Sequence, residues 1–407
     1  MKDWLARLLG APTLERLADD TVRALRARGL ADIRVDLARA EIRATQDGGA
    51  VLLNLGNLHA GWRRVPRRER AAVLERFLAS LDQAGRSPGK DTPWAEARVR
   101  LLPVLRSAST LGLSALARGD ATPGVRDVPS RPFAGAVVIV LVRDMPDSMA
   151  YVTQDLLDAW QVGFDEALAA ALDNLRELPG DGGWQALGDG LWSGAWDDAY
   201  EPSRLLLPDL VHRLGVARPV AMAPFGNVLL VTGAHNAAGL ARLAHVAREA
   251  RADLTRQVSF ELFRLDERRW LSFEPPPGPT ADVLAELVSE QRGADYAEQK
   301  KLLDEAFEGS GEDVTVASCI GLREDGGPLR TWAVWADGID TLLPATDFVA
   351  FAWKVDEANR HVLVPWADAL RLAGALMQPT GHVPPRWRVQ AFPDAALLAE
   401  LERHAAA

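Results

Sequence analysis

The spacing of apolar residues divides this chain into elements before any chemistry is considered. Leu14, Leu17, Val22 and Leu25 recur at helical intervals, which predicts a helix over 3–28 with Gly29 as its C-terminal cap. Ile33, Val35 and Leu37 then alternate as a strand. Residues 41–55 read as a hairpin, because Asp47-Gly48-Gly49 supplies the positive φ that a tight turn needs. A helix pair broken at Pro66 follows, then a loop from Ser87 to Pro93. Residues 117–132 are rich in Gly, Pro and charge and read as an inserted loop or linker.

The continuous apolar run from Val137 to Val142 predicts a strand buried on both faces. Thr153 is placed to cap a helix running through Trp160, and Phe164 to Leu178 form another. Hairpins and helices then alternate. One hairpin turns at Gly188-Asp189-Gly190. Ser203 and Arg204 enter a helix, and VAMAPFGNVLLVTG closes a second hairpin. A helix over Asn236–Ala250 and a third hairpin, VSFELFRLDERRWLSFE, complete the series. Repeated hairpins favour antiparallel pairing, so the expected class is α+β and not a doubly wound sheet.

Pro275 to Thr280 (PPPGPT) marks a boundary, since polyproline is stiff and extended and suits a spacer. Beyond it a helix is expected over Ala281–Phe307. Strands are expected near 313–321, 329–336, 347–355 and 361–364, with a last helix over 394–404. The expected organisation is an N-terminal helical and hairpin module (1–130), a central α+β module (131–275) and a smaller α+β domain (281–407). Trp332, Trp335, Trp353, Trp366 and Trp387 crowd into the last of these; most are expected in its core, with a binding groove lined by some of them as the alternative.

Charge sharpens this division. Residues 1–130 hold 22 Arg/Lys against 15 Asp/Glu, a net of +7, while the rest holds 24 against 41, a net of −17. Such a split lets the two parts attract each other or face different partners. It argues against a dedicated nucleic-acid binder, because most of the chain repels phosphate. Arg63, Arg64, Arg67, Arg68 and Arg70 cluster in the basic part, as a solvated face or a surface for an anionic partner. No apolar run approaches the ~20 residues of a membrane helix, and the first residues flow into a charged helix, unlike a signal peptide. The single cysteine, Cys319, is expected to be a buried structural thiol, and its isolation suits a reducing cytoplasm.

Complete catalytic motifs are missing from the sequence. Gly85 to Asp91 lacks the spacing of a phosphate loop, and an acid follows Lys90. Ser87 and Lys90 have the spacing of a serine acylase, but Pro88-Gly89 opposes the helical turn that aims one at the other. Gly233 and Gly239 alone do not make a dinucleotide fingerprint. The histidines show no metal-ligand spacing, so neither metal nor cofactor is expected. What remains is a polar set in two stretches. Asp144, Asp147 and Tyr151 follow the buried strand, and Asp197, Asp198, Tyr200, Glu201 and Arg204 lie further on. If they converge they make a cation site or an acid/base pair; if they do not, they cap helices and pair locally.

The pieces LLPVLRSAS (101–109), FDEALAAALDNLRELP (164–179), AYEPSRLLL (199–207), PVAMAPFGNVLLV (219–231) and the third hairpin resemble, in order, the YtpQ-like family of bacterial proteins, a domain of unknown function. The resemblance covers residues 1–275 and implies that 276–407 is an additional domain. Of the family's Gly-Tyr-Asp-Ala-Ser-Arg signature this chain keeps Tyr200, Ser203 and Arg204 and departs at Ala199, Glu201 and Pro202. Asn227 stands where the family has an acid in the second hairpin turn. The resemblance attaches no activity. The expectation is a non-enzymatic bacterial cytoplasmic protein that binds a protein partner, with Tyr200, Ser203 and Arg204 as candidate binding residues. The alternative is a hydrolase-like enzyme using Asp144, Tyr151, Asp198 and Glu201. Neither a nucleic-acid nor a membrane partner is expected.

Overall fold

The computed structural model describes residues 13–37, 40–46, 49–85, 92–119, 128–145, 148–178, 182–196, 198–250, 257–323, 329–355 and 358–405. The N-terminal module comprises α1 (Leu14–Ala27), β1 (Ala31–Asp36), β2 (Glu41–Gln46), β3 (Gly49–Asn54), α2 (Leu55–Arg64) and α3 (Arg70–Gly85). Thr13 starts α1 by accepting the Arg16 backbone N–H at 3.3 Å. Leu14, Leu17, Ala18 and Leu25 make its buried face. They pack with Ile42, Ala44 and Leu53 of the antiparallel sheet β1-β2-β3 and with Leu58, Trp62, Leu74 and Leu78 of the following helices. The first part of the expected N-terminal helix and the loop 87–91 lie outside the described residues.

The central module starts before the expected boundary at 131, because β4 (Leu101–Ser107) pairs with β6 (Val137–Met145) along its whole length. It begins with α4 (Trp94–Ala97), β4, α5 (Ala108–Ala117), β5 (Ser130–Ala134), β6 and β7 (Ser148–Tyr151). Next come α6 (Gln154–Trp160), α7 (Phe164–Glu177), β8 (Trp184–Gly188), β9 (Leu191–Gly194) and α8 (Pro208–His212). It ends with β10 (Pro219–Phe225), β11 (Val228–Gly233), α9 (Ala237–Ala250), β12 (Gln257–Asp266) and β13 (Arg269–Phe273). Strands β4, β6 and β5 form one antiparallel sheet, with β7 also paired to β6. The other sheet is six-stranded and antiparallel in the order β13-β12-β10-β11-β9-β8. Thr153 does sit before α6, but its hydroxyl makes no cap hydrogen bond. The segment read as a linker over 117–132 ends in a strand instead, because β5 supplies a hydrogen-bonded neighbour to β6.

The two central sheets pack face to face. Leu105 and Val137 of the small sheet meet Ala221, Ala223, Leu229 and Val231 of the large one. The opposite face of the same strands, Val220, Met222 and Leu230, receives Leu243, Ala244 and Ala247 of α9. Both faces of β10 and β11 are therefore covered, and this explains why their sequence is apolar without alternation.

Beyond Pro275 the chain forms α10 (Pro279–Ser310), β14 (Thr315–Val316), β15 (Ile320–Arg323), β16 (Leu329–Ala336), β17 (Thr341–Pro344), β18 (Phe348–Val355) and β19 (Ala358–Pro365). Then follow α11 (Trp366–Ala373), β20 (Gln378–Pro379), β21 (Arg386–Val389) and α12 (Ala395–Arg403). They give two four-stranded sheets, β14-β17-β21-β20 and β15-β16-β18-β19, each with one parallel pairing. The α+β class stands across the described chain. Two details differ from the expectation. The strand placed near 313–321 is two short strands in different sheets, with Cys319 half-buried in the link between them. Trp335 is fully buried, whereas Trp353, Trp366 and Trp387 lie half-buried around the same core.

The proline-rich stretch does not act as a spacer. It leads into α10, a helix of 32 residues, about 48 Å long. Leu284 and Leu287 in its first half belong to the central core. Leu303 in its second half packs with Val316 and Leu342. One helix thus serves as a wall of both modules. No helix among the described residues is long and apolar enough to cross a membrane.

Candidate functional site

The two polar stretches do converge. They meet where the β6–β7 hairpin faces the turn before α8, over a core face built from Leu102, Val104, Val140, Val142 and Leu175. Tyr200 lies in that core, 4% exposed, and its hydroxyl donates to Asp144 Oδ1 at 2.6 Å. Asp147 and Asp197 lie outside the described residues.

Asp198 opens the turn. Its Oδ1 accepts the Tyr200 backbone N–H at 2.8 Å, which fixes the chain direction two residues on. The Arg204 guanidinium grips the same carboxylate with both forks, at 2.9 and 2.7 Å. Arg204 also lies over the Trp196 ring at 4.4 Å, and Trp196 meets Trp184 edge-on at 5.2 Å. Residues 202–206 form a 3₁₀ turn, not the first turn of an α-helix. The reason is local: Pro202 and Pro208 bracket it, and Pro208 has no N–H with which to continue a helix.

Glu201 turns inward. It is 3% exposed, and Oε1 accepts the Trp196 backbone N–H at 2.7 Å. Its carboxylate rests on Gly194, where an added Cβ would displace Oε2. Ser203 is also buried, at 1%, and its backbone N–H donates to the Tyr200 carbonyl. The candidate binding residues Tyr200, Ser203 and Arg204 therefore point into the fold and present no surface to a ligand.

Arg106 joins this cluster without having been singled out in the sequence. It is 3% exposed on β4 and donates to Tyr151 Oη at 3.2 Å and to the Leu105 carbonyl at 2.9 Å. The available signal was a lone charge in the apolar run LLPVLRS. The Tyr200 phenol is held far above its ordinary value. Burial is the main cause, followed by its hydrogen bond to Asp144 and the negative charges of Asp144 and Asp198, with Arg106 opposing. It is a permanent donor and not a base.

Each carboxylate of the set among the described residues is thus engaged. Asp144 takes the phenol, Asp198 takes Arg204 and a backbone amide, and Glu201 takes another amide. Such an arrangement ties a hairpin to a turn, and among the described residues it aims no acid/base pair at a common point. Among the described residues no group of three or more His, Cys, Asp or Glu side chains gathers as a metal site.

A second feature lies in the N-terminal module. A cleft of about 460 Å³ runs between α1 and the start of α3, with the buried Trp62 among its lining residues. Arg16, Arg23, Arg67 and Arg70 line it, and the Arg70 guanidinium stacks on Trp62 at 4.7 Å. Its acids are already matched: Asp20 pairs with Arg23, and Glu75 pairs with Arg28 at 2.9 Å. Among the described residues neither Arg16 nor Arg67 has an acidic partner. Compared with known proteins, the chain matches no family model, no curated protein and no solved structure.

Proposed function

We propose that this chain is a non-enzymatic protein-binding module of the bacterial cytoplasm. The observation that carries the reading is the state of the polar cluster: Asp144, Asp198 and Glu201 each accept hydrogen bonds from inside the fold. A hydrolase built on them would first have to give up the contacts that hold the turn. The charge split supports a partner of acidic character for the basic module. The single cysteine suits a reducing compartment. The resemblance of residues 1–275 to the YtpQ-like family agrees with this reading and attaches no chemistry to it.

The test pairs capture with turnover. The purified chain should retain a specific protein from its host lysate and should leave a panel of esters and phosphate esters intact. Hydrolysis that disappears in folded Asp144→Asn or Glu201→Gln variants would instead establish the enzyme.

A further inference from the structure

We infer that the N-terminal cleft is the docking site, and that its ligand is an extended acidic peptide segment carrying an apolar side chain between its acids. The inference rests on the protein-binding reading and names the site and chemistry of that binding.

The geometry argues for distributed charge. Arg16, Asp20 and Arg23 stand at i, i+4 and i+7 on α1, so they share one face and span about 10 Å. Arg67 and Arg70 edge the opposite wall. Acids three residues apart on an extended chain are separated by about 10 Å and point to opposite sides, so one faces each wall. A compact phosphate would reach one edge of the cleft and leave the other uncompensated.

The lining selects further. Trp62, Ala24, Ala71 and Leu74 give apolar surface between the arginines. That suits a hydrophobic side chain seated among carboxylates, as arginine and aromatic groups are the usual anchors of protein interfaces. Asp20 and Glu75 also line the cleft. Although paired, they repel a continuous polyanion such as nucleic acid more than a segment whose acids are interrupted. Arg16 and Arg67, which lack acidic partners among the described residues, supply the attraction. Bidentate pairing with carboxylates is the chemistry their guanidinium groups favour.

The experiment is a fluorescence-anisotropy titration of the whole chain with a short fluorescein-labelled peptide that carries Glu at every third position and Leu between. Binding should weaken steeply as salt rises from about 50 to about 300 mM, across which screening shortens. Arg16→Ala and Arg67→Ala should each lower affinity roughly ten-fold. Arg63→Ala, an exposed site outside the cleft, should change it little. Circular dichroism checks that the variants stay folded; both cleft substitutions remove side chains that have no ion pair among the described residues, so the fold should persist.

Equal loss in all three variants would show general electrostatic attraction and overturn the site. Absence of peptide binding by the wild type would overturn it as well. So would tighter binding of a labelled single-stranded oligonucleotide that the same two variants abolish, which would assign the cleft to nucleic acid. A host protein captured equally by wild type and by the Arg16→Ala/Arg67→Ala double variant would also overturn the cleft assignment while leaving the protein-binding reading intact. If the lysate yields no partner but the peptide binds in the cleft, the reverse holds.

Discussion

Two of the buried arginines in this chain are held in opposite ways. Arg204, in the central module, meets both oxygens of Asp198, six residues away, so its charge is neutralised on the spot. Arg386, in the C-terminal module, is 1% exposed, and among the described residues no acid pairs with it. It donates instead to the carbonyls of Ala317 and Leu342, at 2.9 and 2.8 Å, and to Gln299 Oε1 at 2.6 Å. The Tyr296 ring lies 5.2 Å from the guanidinium. The first arrangement is a local staple that fixes one turn. The second joins α10, β17 and β21 with the link that precedes β15, so it holds a module together. Burial pulls the Arg386 guanidinium below its ordinary value.

The difference predicts which partner matters most. Asp198→Ala leaves the Arg204 charge buried and unmatched, and the expected loss is about 3 kcal/mol in urea unfolding. The double variant Asp198→Leu/Arg204→Met should recover most of that loss, because it removes the charge along with its partner. A double variant as unstable as Asp198→Ala would show that the turn needs the pair itself and not merely the absence of a stranded charge.

Arg386→Met should cost less, about 2 kcal/mol. It takes a donor from the Ala317 carbonyl and the Gln299 oxygen, while the Leu342 carbonyl keeps the Ala317 backbone N–H, and it also removes the burden of burying a cation. The measurement is again urea unfolding. A loss larger than that of Asp198→Ala would break the comparison, and would mean that the carbonyl cage contributes more than the ion pair.

Both staples bear on what the sequence made legible. The hairpins and helices were readable, because Val137–Val142, the Asp189-Gly190 turn and the third hairpin each carry local signals. Asp189 and Gly190 adopt the positive φ that the turn demands. The convergence of Asp144 with Tyr200 was readable only as a possibility, since 56 residues separate them and no periodicity encodes the approach. Arg386 was passed over because a buried arginine looks, in sequence, like a surface one, and Arg106 because its one signal, a lone charge in an apolar run, names no partner. The boundary at Pro275–Thr280 misled for a related reason. Polyproline reports local stiffness, but the packing of Leu284 and Leu287 beyond it is tertiary. Strands β17 and β21 were missed because they are short and lean on each other across the chain.

The smallest expected effect probes how far an unneutralised cation reaches. His382 is half-buried, with Nδ1 2.6 Å from Thr380 Oγ1. Burial, and then the charge of Arg386, pushes its imidazole down to about 4 from an ordinary 6.5. The folded form therefore holds His382 neutral where the unfolded chain would protonate it. Stability from this source is full above pH 6.5 and is lost as pH falls through about 4. Allowing for its partial exposure, the contribution is roughly 1–2 kcal/mol. Thermal unfolding between those limits should show a shallower acid limb in His382→Gln than in the wild type. Arg386→Met should flatten the limb as well, by letting the imidazole titrate higher, which NMR of the ring protons reads directly. Arg204→Met has no such neighbour to release and should leave that titration unmoved. If Arg386→Met leaves it unmoved too, burial alone holds His382 neutral, and the charge of Arg386 does not act beyond its carbonyl cage.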